Sequence, residues 1–217
     1  MYGMLLESIQ HYIQQLHGPG SWDKVLEHAG LKNVVFTTHR RYRDDIMVQL
    51  AQSLALVMQD RSIDSYMEYF GQCFVQYWTH YGYDTIMRAS GRHYRDFLHG
   101  IDNLHETMRF SYPKMLTPSF YVDKEDCHGC LLHYRSKRIG FTYYVIGQLR
   151  QSGRKFYNVD VDIDVIEVNE TDKGVHIVYW LKFDNSVYRP AEIEKALYPG
   201  VLEFPVLTVK EFFKVGQ

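Results

Sequence analysis

The chain has 217 residues, with 24 Lys and Arg against 26 Asp and Glu and a net charge of −2. That balance lacks the basic surface a nucleic-acid binder needs, and no run of 18 or more apolar residues is present to span a membrane. Hydrophobic residues at 46% are enough for a packed core, and three cysteines are too few for a disulfide framework.

The opening Met1-Tyr2-Gly3-Met4-Leu5-Leu6-Glu7 lacks the basic and small-residue features of a signal peptide, so the cytosol is the expected compartment. A first helix is predicted over 3–16, with Leu5, Leu6, Ile9, Tyr12, Ile13 and Leu16 on one face. Gly18-Pro19-Gly20 breaks it, and Ser21 reads as the N-cap of a short helix that stops at Gly30. The polar stretch 39–45 reads as a solvated loop or helix entry. Helices follow over 44–58 and 62–79, a short piece over 83–89, and an amphipathic helix over 91–110. Pro113 and Pro118 end helical continuation. Alternating runs then predict strands over 119–122, 130–136, 157–168 and 174–183, with a helix over 143–152. Helices first and strands after make the class α+β. One domain is expected over 1–185, and the Pro-containing 186–217 reads as a linker.

The helix over 91–110 carries the most informative residue. Its apolar stripe is Tyr94, Phe97, Leu98, Ile101, Leu104 and Met108, and His105 falls inside it. An imidazole aimed at an apolar core needs a partner. Downstream, Tyr134, Ser136 and Arg138 alternate at period two, so a strand would present all three on one face. An inward histidine opposite such a face can hold an apolar disc that carries carboxylates, which points to haem.

Met1-Tyr2-Gly3, Asp102-Asn103-Leu104-His105, Tyr112-Pro113, Pro118-Ser119-Phe120 and Tyr134-x-Ser136-x-Arg138 together resemble the haem-nitric-oxide/oxygen-binding (H-NOX) domain. The resemblance covers roughly residues 1–185 and is greatest to the N-terminal sensor of soluble guanylate cyclases, the atypical invertebrate subunits in particular. The remainder is similar to the lead-in to the PAS-like domain that follows there. The resemblance implies one non-covalent haem b with His105 as the proximal iron ligand and the sixth position open for O₂, NO or CO. It implies a propionate clamp of Tyr134, Ser136 and Arg138, in which Arg138 forks onto a carboxylate. It implies that Pro118 presses on the porphyrin and that Leu5, Ile9, Phe74 and Trp78 line the distal side. The implied partners are the rest of the same chain and a second cyclase subunit. No cyclase activity is expected from this chain alone, which shows neither a nucleotide loop nor a metal-binding carboxylate pair.

Tyr144 matches the place where oxygen-binding members carry a distal tyrosine. Those bacterial members support it with an Asn and a Trp, and here those places are Phe74 and Ile9. Tyr144 is therefore either a distal donor or a half-buried helix tyrosine turned away from the pocket. Two other readings stay open. A haem enzyme of peroxidase or oxygenase type would need a distal acid–base group, and a cavity protein for another apolar ligand would not need His105. Cys127-His128-Gly129-Cys130 lacks a second ligand pair at zinc-ribbon spacing and reads as a turn with two cysteines, a redox pair being the alternative.

Overall fold

The computed structural model describes residues 1–189; the expected linker falls almost wholly on 190–217, outside the described residues. Four helices come first: α1 (Gly3–His17), α2 (Pro19–His28), α3 (Ile46–Met58) and α4 (Ile63–His80). They bury Leu6, Ile9, Trp22, Leu50 and Phe70 against one another in a helical core. Each side chain fully buried in this way contributes about 1.5–3 kcal/mol before chain entropy is charged against it. The short α5 (Asp84–Ala89) leads to α6 (Tyr94–Met108), which carries His105.

Strands β1 (Ser119–Asp126) and β2 (Gly129–Ser136) are followed by α7 (Thr142–Ser152), a π-type turn over Gly153–Tyr157, and strands β3 (Asp162–Thr171) and β4 (Gly174–Lys182). They form one antiparallel sheet in the order β1-β2-β4-β3. Its inner face joins α6 in a second core that contains Leu98, Ile101, Leu132, Ile177 and Leu181. The α+β reading therefore holds, and it takes the form of two cores side by side.

Helix α7 bridges the two cores, because Tyr144 packs with the helical core and Val145 and Ile146 with the sheet core. Two glycines allow its close crossing with α4. A Cβ on Gly71 would lie 2.1 Å from the Tyr144 carbonyl oxygen, and one on Gly147 would lie 1.9 Å from that of Glu68.

Several boundaries differ from the sequence reading for local reasons. Helix α2 starts with Pro19 as its first residue and Gly18 as the cap, so Ser21 is not the N-cap. Helix α6 starts at Tyr94 rather than near 91, because His93 is extended and its N–H donates to Asp96 at 2.9 Å. It stops at Met108, leaving Phe110 91% exposed. Strand β1 runs on to Asp126 through a bulge at which Lys124 adopts φ 46°. Strand β3 begins at Asp162, not at 157, since its neighbour β4 ends opposite that residue at Lys182. Upstream, Val161 is still buried, so the apolar alternation continues where no partner strand exists to pair with it.

Candidate functional site

A cavity of about 1210 Å³, its mouth included, opens between the two cores. Its wall draws on α1, α4, α6, α7, β1 and β2 and on the 111–118 connection. Only the fold brings together segments so far apart in sequence.

His105 lines this cavity from the last turn of α6. Its ring stacks on Phe120 of β1 at 5.8 Å between centroids. Nδ1 is buried without a hydrogen-bond partner, and the nearest carboxylate oxygen, Asp102 Oδ1, is 4.0 Å away. Asp102 is occupied elsewhere, accepting from the Phe120 N–H at 2.9 Å and from Ser119 Oγ at 3.0 Å. Burial holds the imidazole down to a pKa of about 4, against an opposing pull from Asp102 and with help from Arg138 and Arg109. His105 is thus neutral at pH 7, the form in which a ring nitrogen offers a lone pair to a metal.

Tyr134 and Arg138 line the same cavity, but Ser136 is not among its lining residues. Strand β2 ends at Ser136, so Arg138 reaches the cavity from the turn beyond it and not from the strand face. The Ser136 hydroxyl accepts the Arg138 N–H at 3.0 Å and so sets the path of that turn. Burial raises the Tyr134 phenol, partly offset by its hydrogen bond with Ser136. The Arg138 guanidinium donates from Nε to Asp44 at 3.0 Å and from Nη1 to the Leu116 carbonyl at 2.9 Å. Of the five N–H groups of a guanidinium, three are left for a carboxylate brought by a ligand. Arg135 leaves the cavity side and lies over the Tyr121 ring at 5.5 Å.

Pro118, Leu5, Phe74, Trp78 and Tyr144 all line the cavity. Ile9 does not: it is fully buried within the helical core, one turn beyond the lining residue Leu5 on α1. The Tyr144 ring is tilted against Phe74 at 6.5 Å, and Phe74 stacks on Trp78 at 5.6 Å. The Tyr144 hydroxyl is buried with no partner among the described residues, and burial pushes its pKa far above the usual phenol value. It is therefore a neutral donor, and its ring packs against Phe74 and Phe141. Tyr144 is 4% exposed, so it is not turned out to solvent.

Sequence reasoning missed Asp44 and Gln148, and it gave Tyr112 a place in the family motif but none in the cavity wall. Gln148 lies one turn after Tyr144 on the cavity face of α7, and the i, i+4 rule would have found it. Tyr112 donates to Met4 Sδ at 3.3 Å in the cavity wall. Nothing in the sequence joins Asp44 to Arg138 across 94 residues.

Elsewhere, Cys127 and His128 form the tight turn between β1 and β2. Cys127 is exposed, whereas Cys130 is buried in the sheet core and its thiol is pushed up to about 12 by burial. Among the described residues no cluster of three or more His, Cys, Asp or Glu is placed to hold a metal, and no helix is long and apolar enough to cross a membrane.

Comparison with known proteins gives a consistent picture. A family model described as Haem-NO-binding matches residues 2–165. Soluble guanylate cyclase 89Da of Drosophila melanogaster is 37% identical over 226 residues, covering 98% of this chain and 34% of the relative. Soluble guanylate cyclase gcy-33 of Caenorhabditis elegans is 36% identical over 185 residues, covering 85% of this chain and 20% of the relative. The chain thus spans about a third or less of the length of these relatives. The crystal structure of an oxygen-binding H-NOX domain related to soluble guanylate cyclases, in its oxygen complex, superposes with a TM-score of 0.69 at 18% identity. That superposition covers 88% of this chain and 98% of the other, and it shows a shared fold.

Proposed function

Because the chain belongs to the Haem-NO-binding (H-NOX) family, we propose that it is a haem-based gas-sensing domain, formed by residues 1–185, that regulates a soluble guanylate cyclase. The observation that carries the reading is the neutral, orphaned imidazole of His105 in a cavity wall that also holds Arg138, with three N–H groups unspent. These residues fit haem b. His105 would ligate the iron, Arg138 and Tyr134 would take a propionate, and Pro118 would press on the ring. Bound there, haem would supply an iron centre able to bind O₂, NO or CO.

The chain's own residues do the rest. His105 holds its ring nitrogen unprotonated. The aromatic wall of Phe74 and Trp78 excludes water, and Tyr144 offers one hydroxyl proton to a ligand that carries negative charge. A force on His105 acts on α6, whose first turns are tied to β1 by Arg95, which forks onto Glu125 at 2.6 and 3.0 Å. Glu125 also accepts from the buried Asn185 at 3.0 Å, at the point where the chain leaves the sheet. That route would carry a displacement of α6 towards residues 186–217 and whatever follows them, in the cytosol and beside a second cyclase subunit.

Among the described cavity-lining residues the only histidine is His105 and the only arginine is Arg138. The distal wall therefore offers no acid–base pair of the kind a peroxidase uses, which favours sensing over turnover. The test is the visible spectrum of the anaerobically reduced, haem-loaded chain before and after air, and then after NO. A five-coordinate ferrous band that changes stoichiometrically with gas supports a sensor. Steady consumption of peroxide would replace it with the enzyme reading, and His105→Gly with unchanged haem content would remove His105 as the ligand.

A further inference from the structure

Three buried side-chain atoms of cavity-lining residues have no hydrogen-bond partner among the described residues: His105 Nδ1, Tyr144 Oη and Trp78 Nε1. The haem-sensor reading gives a use to the first two. Trp78 is left over. It sits in the last turn of α4, is 7% exposed, and its indole is clamped between two rings, Phe74 at 5.6 Å and Tyr83 at 5.0 Å. Both stacks are near parallel, at 27° and 19°, so the indole plane has little freedom to rotate towards an acceptor. An indole N–H only donates, and a buried donor without an acceptor is normally selected against. The Phe74 ring neighbours both donor-bearing rings, stacked on that of Trp78 at 5.6 Å and tilted against that of Tyr144 at 6.5 Å. Trp22 also has a buried, unpartnered N–H, but it lies in the helical core away from the cavity.

We propose that Trp78 is a second ligand-recognition residue of this site, its indole N–H joining the Tyr144 hydroxyl to form a two-donor wall around Phe74 that selects a polar diatomic ligand. This deepens the haem-sensor reading and rests on it. Dioxygen in such a site draws negative charge onto itself and accepts hydrogen bonds; carbon monoxide accepts them poorly. A donor held in place by stacking on two faces, as the Trp78 indole is, needs no reorganisation when the ligand arrives.

The test uses the haem-loaded full chain with Trp78 replaced by benzothienylalanine, which keeps the ring size and exchanges N–H for sulfur. Trp78→Phe and Tyr144→Phe are made beside it. Loss of one hydrogen bond of ordinary strength predicts dioxygen release faster by up to about tenfold for each single variant. Carbon monoxide release should stay within about twofold. A readout independent of gas kinetics is the ¹⁵N–¹H indole signal. The Trp78 signal should move when dioxygen replaces carbon monoxide, while that of Trp22 should not. Dioxygen release unchanged in the benzothienyl variant, or an unmoved Trp78 signal, overturns the proposal and leaves Trp78 as an aromatic wall. Failure of the wild-type chain to retain haem would instead overturn the underlying reading, so the two failures are told apart.

Discussion

At the scale of single residues, the site is built from polar groups that the fold buries without satisfying. An orphaned buried hydroxyl costs about 1–3 kcal/mol, so Tyr144→Phe should stabilise the ligand-free chain by roughly 1 kcal/mol, read as a higher urea midpoint at unchanged slope. A lower midpoint would mean that the hydroxyl has a partner in the empty cavity. His105 makes a pH prediction. Its folded pKa of about 4 lies below the ordinary 6.5, so the unfolded chain takes up the proton more readily. Stability from the neutral imidazole is fully present above about 6.5 and is lost as pH falls towards 4, by on the order of 3 kcal/mol. His105→Gln should flatten that part of the stability curve, which denaturation between pH 7 and 4 would show.

At the scale of elements, α6 and α7 are each held by attachments that help to place a cavity residue. Helix α6 is anchored through Glu125, only 10% exposed, which receives Arg95, His99 and Asn185 together. Those hydrogen bonds, outweighing the cost of burial, hold its pKa down to about 2. Glu125→Gln should cost about 2 kcal/mol, because it removes the forked pair with Arg95 and leaves that guanidinium only the looser contact with Asp96 at 3.6 Å. It should also remove the loss of stability between pH 4.5 and 2 that the wild-type carboxylate causes on protonation. Helix α7 is held by its glycine crossing with α4. Gly71→Ala forces a methyl to within 2.1 Å of the Tyr144 carbonyl oxygen, so the helices must part, at a cost of about 1–3 kcal/mol. Thermal melting measures the cost, and a shifted Tyr144 would show as altered dioxygen release in the haem-loaded protein. The periodic pattern located both helices, yet their anchors lie 30 residues away for Arg95 and Glu125 and on a different element for Gly71. Short-range pattern carries no information about such pairs.

At the scale of the whole molecule, the cavity separates two cores that touch mainly through α4 and α7. A ligand that fills it binds the folded chain and not the unfolded one, so haem should raise the melting temperature by mass action. The expected gain is about 2.7 kcal/mol at a hundredfold excess over the dissociation constant, with most of it lost in His105→Gly. An unchanged melting temperature on adding haem would contradict the proposed cofactor.

What could be read along the chain, and what could not, follows from the range of each interaction. Helix period, strand alternation and proline placement act over a few residues. They were enough to find α1, α3, α4, α6 and the strands, and to put His105 and Tyr134 on inward faces, whereas Arg138 reaches the cavity from the turn after β2. Depth and partnership are set by chain segments far apart. Alternation alone extended β3 back to 157, where no neighbouring strand exists to pair with it. The family resemblance placed Ile9 with Leu5 on the distal wall, but α1 passes out of the cavity wall within one turn, so Leu5 lines the cavity and Ile9 fills the core. The same limit hid the pairing of Asp44 with Arg138 and the isolation of the Trp78 and Tyr144 donors. A hydrogen bond that is made, or left unmade, across the fold is a property of packing in three dimensions, and only the tertiary structure decides it.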